Sequence, residues 1–209
     1  MKDIPAGTGR WLKEAAGSSG RWYFAVSSPY GDLCEAQELY DSGRHPEDVP
    51  AFISFPEGRV IPVPGPSSSS YGLPVYSDGK LVYLRMDHSE RTVSVVSMEP
   101  ETGTVRELYS MPYADASDGY NLMLSLQPLC LTRQRSGIFE VLWPENVTIR
   151  MENTETFCFR DGRDLYFSQW FEDPDYREIT VIRDIQTGER RVLPGSAELM
   201  PDGTVWYLS

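Results

Sequence analysis

The chain of 209 residues is short of the groups from which most site chemistry is built. It has three cysteines, Cys34, Cys130 and Cys158, widely separated and never in a Cys-x-x-Cys pair. An odd, scattered set argues against a disulfide framework and against a structural zinc site. The thiols are expected to be buried and reduced. There are two histidines, His45 and His88, and nine alanines. With so little alanine, and with 17 glycines and 16 prolines breaking most windows, helix has little support. Basic residues are scarce as well: 19 Lys plus Arg against 31 Asp plus Glu give a net charge of −12. The nearest thing to a basic cluster, Arg183, Arg190 and Arg191, sits among Asp184 and Glu189. No cationic face for nucleic acid is expected, and the acidic excess reads as solubility. No hydrophobic run approaches the ~20 residues of a membrane-spanning helix. Residues 1–20 hold Lys2 but no apolar segment, so no secretion signal is expected and the sequence reads as cytoplasmic. Without secretion, the glycosylation-type triplet Asn146-Val147-Thr148 carries no weight.

What the chain does have is aromatics and a repeat. Five Trp, 12 Tyr and 8 Phe are too many for a disordered chain. An Asp-Gly pair followed by an apolar run recurs at Asp78-Gly79, Asp118-Gly119, Asp161-Gly162 and Asp202-Gly203. Successive glycines are 40, 43 and 41 residues apart. Ser19-Gly20, before residues 21–26, is a degenerate earlier copy whose unit carries an insertion. A second turn signal runs in phase: Asp41-Ser42-Gly43, Thr102-Gly103, Trp143-Pro144-Glu145-Asn146 and Thr187-Gly188. Residues 92–97 and 178–183 alternate with the period of two that marks a strand with one polar face. Gly and Asn at the turns supply the positive φ of tight hairpins. The strongest helical window, residues 33–40, falls where the repeat phase requires a strand, and a strand is expected there. About 41 residues with three or four strands is the size of one propeller blade.

The Ser77-Asp78-Gly79 and Pro201-Asp202-Gly203 pattern resembles the Trp-Ser-Pro-Asp-Gly segment of WD-like propeller repeats, found in the periplasmic Tol propeller and in prolyl oligopeptidase propellers. The Trp is missing from every copy and the Ser-Pro pair is never complete. The resemblance implies an architecture over residues 19–209 and carries no catalytic residue across. The expected fold is all-β: one five-bladed β-propeller over residues 1–209. Its units are residues 17–70, 71–111, 112–153, 154–195, and a closing unit of 196–209 with 1–16. In that closure residues 9–14 pair with the last strands. Four blades with an extra hairpin, or an open propeller fragment, are the alternatives. The tail of the insertion, residues 62–70, reads as a flexible loop.

Candidate chemistry is sparse. His45 and His88 read as exposed loop residues; Asp87, His88 and Ser89 are adjacent in sequence, and no Gly-x-Ser-x-Gly elbow is present. Glu172, Asp173 and Asp175 could face a hard cation, but they lack the glycine and distal Glu of a calcium loop and read as a solvated hairpin tip. Asp115 and Asp118 read as turn residues. No metal site and no cofactor are expected. Most aromatics should pack between sheets, but Tyr30, Trp170, Phe171 and Tyr176 lie beside expected loops and are the candidate binding residues. The expected function is a non-catalytic binding or scaffolding propeller, monomeric, presenting loops to a protein or carbohydrate partner. The alternatives are a hydrolase or lyase working in the axial channel, and a structural domain of a larger protein.

Overall fold

The computed structural model describes residues 3–6, 11–26, 33–44, 50–116 and 121–208. The chain divides into two compact units, residues 1–120 and 121–209. Among the described residues there are one α-helix and five sheets, each built from antiparallel pairs.

The N-terminal unit holds two sheets. The first is ordered β1 (Trp11–Glu14), β2 (Trp22–Val26), β3 (Ala51–Ser54), β4 (Val60–Pro62). The second comprises β5 (Ser69–Tyr71), β6 (Val75–Ser77), β7 (Lys80–Asp87), β8 (Thr92–Met98) and β9 (Val105–Pro112), with β5 and β6 pairing along different stretches of β7. A short 3-10 helix, Tyr113–Ala116, follows. Trp22 and Phe24 from β2 and Phe52 from β3 pack on Leu81 and Tyr83 of β7 and on Val96 and Met98 of β8. Phe52 bridges the two sheets, with ring centroids 5.5 Å from Phe24 and 5.6 Å from Tyr83. The alternate residues of β7, Val82, Leu84 and Met86, are buried too, so both faces of this strand are covered.

Part of that second cover is α1 (Leu33–Asp41), which corrects the strand expected over residues 33–40. Its sequence, Leu-Cys-Glu-Ala-Gln-Glu-Leu-Tyr, contains no β-branched residue and several strong helix formers. The helix stops in a Schellman cap: Arg44 N–H donates to Leu39 O, Gly43 N–H donates to Tyr40 O, and Gly43 has φ 77°. Local preference here overrides the repeat phase. Residues 62–70, expected as a loop, are also tied down. Val63 is buried, Tyr83 Oη donates to Pro64 O, and Ser69 and Ser70 belong to β5.

The C-terminal unit holds three sheets: β10 (Leu122–Ser125) to β13 (Val147–Arg150), through β11 (Cys130–Arg135) and β12 (Ile138–Trp143); β14 (Glu155–Asp161) to β17 (Arg190–Pro194), through β15 (Asp164–Phe171) and β16 (Arg177–Asp184); and the pair β18 (Ser196–Leu199) and β19 (Val205–Leu208). Phe139, Phe157 and Phe167 form its aromatic centre, with centroid separations of 4.4, 5.2 and 5.7 Å. A bulge between Phe157 and Phe159 resets the alternation of β14, so that Glu155, Phe157 and Arg160 are all buried.

The repeat turns are hairpin tips. Asp78 (φ 49°) and Gly79 (φ 77°) form the two-residue loop between Ser77 and Lys80, a type I′ pattern. Gly162 (φ 55°) is the first residue of the two-residue loop between Asp161 and Asp164, and Gly203 (φ 85°) is the last of the three-residue loop between Met200 and Thr204; Asp118-Gly119 lies outside the described residues. Trp11–Glu14 is β1 and pairs with β2, while the partner of β19 is β18.

Candidate functional site

The hairpin joining β15 and β16 gathers three of the four candidate binding residues. Near the end of β15, Trp170 is opposite Glu178, and the last residue, Phe171, is opposite Arg177. Successive strand residues point to opposite faces, so Trp170 and Phe171 diverge. Phe171 is partly buried beneath the Arg177 guanidinium, 4.8 Å from its ring centroid. Trp170 is 43% exposed, and Tyr176, in the connecting loop, is 73% exposed. Glu172, Asp173 and Asp175 are exposed in the same loop. The tip therefore presents two aromatic side chains beside three carboxylates. Among the described residues no three His, Cys, Asp or Glu side chains cluster as metal ligands. Tyr30 lies outside the described residues, as does His45.

His88 corrects its expected exposure: it is 6% exposed. Its Nε2 lies 2.9 Å from Ser70 Oγ, and its ring stacks on Tyr40 at 4.2 Å between centroids and meets Tyr113 edge-on at 6.5 Å. Ser70 is itself buried. Asp87 faces elsewhere: it accepts from Ser68, from both Ser89 groups and from the Glu90 amide. Burial pushes its carboxyl up, but those four donors outweigh burial and leave it below the usual carboxylate range. The sequence set Asp87, His88, Ser89 is thus a turn. The Ser70–His88 contact instead joins β5 to the residue that follows β7, and both side chains are buried.

The C-terminal unit contains polar groups that sequence reasoning passed over. Glu155, wholly buried, receives Arg183 Nη2 on both carboxylate oxygens at 2.9 Å and Arg190 at 3.6 Å. Glu140 receives Arg133 Nε and Arg135 Nη2, each at 2.9 Å. Arg160 reaches Glu145 at 2.6 Å and the Gly162 carbonyl at 2.7 Å. Burial pushes the Glu140 carboxyl up, but its two arginines hold it below the ordinary value; Glu145 is held down chiefly by the hydrogen bond from Arg160. Gln134 bonds the backbone at both Glu155 O and Phe157 N. No local pattern in the sequence marks them, because the bulge in β14 changes which of its residues face inward.

Two clefts open in this unit. One, of about 280 Å³, is lined by Gln134, Arg135, Gly137, Glu152, Asn153 and Glu155. Its charged members are engaged with protein: Glu155 with Arg183, Arg135 with Glu140, and Glu152 with Gln169 at 2.8 Å. The other, of about 90 Å³, holds Cys158 beside Ser168 and Glu178, whose side chains bond each other at 2.5 Å. Cys158 is exposed, against the expectation that all three thiols are buried. Cys130 is buried, and burial pushes its thiol up.

No protein-family model matches the chain, and no curated protein matches it. Among solved structures 22 chains match. One is a prolyl endopeptidase, 11% identical, with a TM-score of 0.50, the match covering 94% of this chain. The chain spans 30% of that endopeptidase's length. The class this defines is an all-β protein of several antiparallel sheets with a propeller-containing structural neighbour. At that identity the likeness speaks for the fold alone. No helix among the described residues is long and apolar enough to cross a membrane.

Proposed function

We propose that the protein is a non-catalytic binding or scaffolding module whose five sheets are the blades of one propeller, and that the β15–β16 hairpin is its docking surface. The observation that carries this reading is the pair of exposed aromatics, Trp170 and Tyr176, beside Glu172, Asp173 and Asp175. Aromatic side chains anchor protein contacts, and surrounding carboxylates steer a cationic partner. A basic polypeptide segment fits that combination best; a carbohydrate would use the same rings without needing the charge. The engaged state of the buried ionic groups supports binding over catalysis, since Glu155, Glu140 and Glu145 each neutralise an arginine. The match to part of a longer endopeptidase is what favours a third reading, a structural domain of a larger protein.

The test is a titration of arrayed basic peptides and oligosaccharides against the full chain and a Trp170→Ala/Tyr176→Ala variant. A basic peptide whose affinity falls at least ~10-fold in the variant, at unchanged melting temperature, is expected. Oligosaccharide binding alone would replace the protein partner with a sugar. Labelling of Ser70 by a fluorophosphonate probe would overturn the non-catalytic reading in favour of a hydrolase; no labelling is expected.

A further inference from the structure

The Asp-Gly pairs that make the repeat turns also carry a chemistry of their own. Glycine has no Cβ to shield its nitrogen, so that nitrogen can close on the side chain of the aspartate before it. Closure needs a glycine N–H without a partner, a carboxyl without a partner, and a loop with room to rotate. Three of the pairs lie among the described residues, and they differ in all of this.

At Asp161-Gly162 the Gly162 N–H donates to Gln127 O at 3.2 Å, and the Gly162 carbonyl accepts from Arg160 Nε at 2.7 Å. At Asp202-Gly203 the Gly203 N–H donates to Met200 O at 2.9 Å. The Asp202 carboxylate accepts from the Thr204 amide at 3.0 Å and from the Thr204 hydroxyl at 2.7 Å. The hydroxyl, with the amide behind it, holds that carboxyl below its ordinary value, so the neutral acid from which oxygen leaves is scarcer. Asp78-Gly79 has none of these restraints. Both residues are exposed, and among the described residues nothing hydrogen-bonds the Gly79 N–H or the Asp78 carboxylate. A Cβ built on Gly79 would meet nothing within 4 Å, so the tip has space to turn.

We infer that Asp78-Gly79 is a site of spontaneous backbone modification, at which Asp78 of the folded chain converts to isoaspartate while Asp161 and Asp202 are held back. The Gly79 nitrogen gives up its proton and attacks Asp78 Cγ. A C–N bond forms, a Cγ–O bond breaks, and the oxygen departs as water, leaving a cyclic imide. Water then adds to either imide carbonyl. Opening at the Cγ carbonyl restores aspartate; opening at the α-carbonyl leaves the chain running through Cγ, as isoaspartate. The water lost is regained, nothing is oxidised or reduced, and the mass is unchanged. The product has one more carbon in the backbone of a two-residue loop, so the type I′ turn and the Ser77–Lys80 pairing that it closes cannot both persist. β6 is then loosened, and β6 is where Tyr76 N–H donates to Ala16 O at 2.7 Å, beside β1.

Peptide mapping of the full chain tests this. The protein is held at neutral pH in heavy-oxygen water for several weeks, then digested, and aspartate and isoaspartate peptides are separated by chromatography. Each passage through the imide places one labelled oxygen on the product. Residue 78 is expected to convert at least ~10-fold faster than residue 161 or 202, because those turns must first open. In urea, where no turn is held, the three rates should fall within ~3-fold of one another. Asp78→Glu, whose ring would be one atom larger, should lose the isomer at 78 with the other two sites unchanged. Equal rates at the three sites of the folded chain, a lead at 161 or 202, or no conversion at 78 overturns the inference.

Discussion

The two units bury polar groups in opposite ways. In the N-terminal unit the buried polar side chains in the sheets are mostly neutral hydroxyls, such as Ser54, Ser70, Ser94 and Ser97, with His88 set among aromatic rings. Its core is aromatic and aliphatic around Phe52, and the middle strand of its second sheet is covered on both faces. The C-terminal unit buries full charges, Glu155, Arg133 and Arg160, and neutralises each with a partner. Taking a charge out of water costs several kcal/mol, and pairing returns much of it only when geometry is good. The difference teaches that the same repeated hairpin can be filled in two currencies of interaction. Apolar contact tolerates the loss of one partner gradually, whereas an ion pair fails when either member goes.

The largest effects should expose that difference. Phe52→Ala is expected to cost ~3 to 5 kcal/mol through the cavity it leaves. Glu155→Ala should cost a similar ~3 to 5 kcal/mol, because Arg183 is left charged, 11% exposed and unpaired. The two then separate. Adding Arg183→Met to Glu155→Leu should recover most of the loss, since matched apolar replacement of a buried pair is often neutral. No second substitution near Phe52 has that route. Urea melts of the single and double variants measure it. A double variant as unstable as Glu155→Ala would show that the charges themselves organise this sheet, and the contrast would fail.

Acid comes next. Glu140 and Glu145 have carboxyls held below their ordinary value in the folded chain. Groups of that kind add stability that is present above the unfolded pKa, ~4.3 for Glu, and is lost as pH falls through the lower folded pKa. The C-terminal unit should therefore lose stability below about pH 4.3, as protonation removes the carboxylates that face Arg133 and Arg160. Asp87 supplies a carboxyl of the same direction in the N-terminal unit, but it serves hydroxyls and amides, so no buried charge is stranded when it protonates. Melting temperature against pH should show a shallower acid limb in Glu140→Gln than in wild type, and an almost unchanged one in Asp87→Asn. The reverse order would invert the comparison.

The sequence carried these architectures unevenly. The hairpin turns were legible because Asp-Gly encodes a backbone conformation, and Asp78-Gly79 and Gly203 adopt it. The helix at Leu33–Asp41 was hidden by trust in the repeat phase, although its residues favoured a helix throughout. The candidate hairpin was legible because Trp170 and Tyr176 flank a polar loop, and side-chain exposure there follows from the loop itself. The buried ionic groups were not legible. A bulge at Cys158 shifts which residues of β14 point inward, and no local pattern reveals that shift. Ser70 and His88 are 18 residues apart, and only the β5–β7 register makes them neighbours.

The smallest expected effect should be blind to how the units are filled. A Cβ built on Gly79, in the N-terminal unit, or on Gly162, in the C-terminal one, would meet nothing within 4 Å. Any cost of alanine at either place is therefore conformational, the price of holding an L-residue at φ 77° or 55°. It should be ~1 kcal/mol at each. Asparagine, whose side chain bonds locally and which visits this region readily, should cost less than alanine at both. Thermal melts of the four single variants give the answer. Equal alanine penalties, relieved by asparagine, would place the hairpin turns outside the contrast between the cores. A penalty at Gly162 well above that at Gly79 would extend the contrast to the turns: the Gly162 amide donates to Gln127 O, and the Gly162 carbonyl accepts from the buried Arg160.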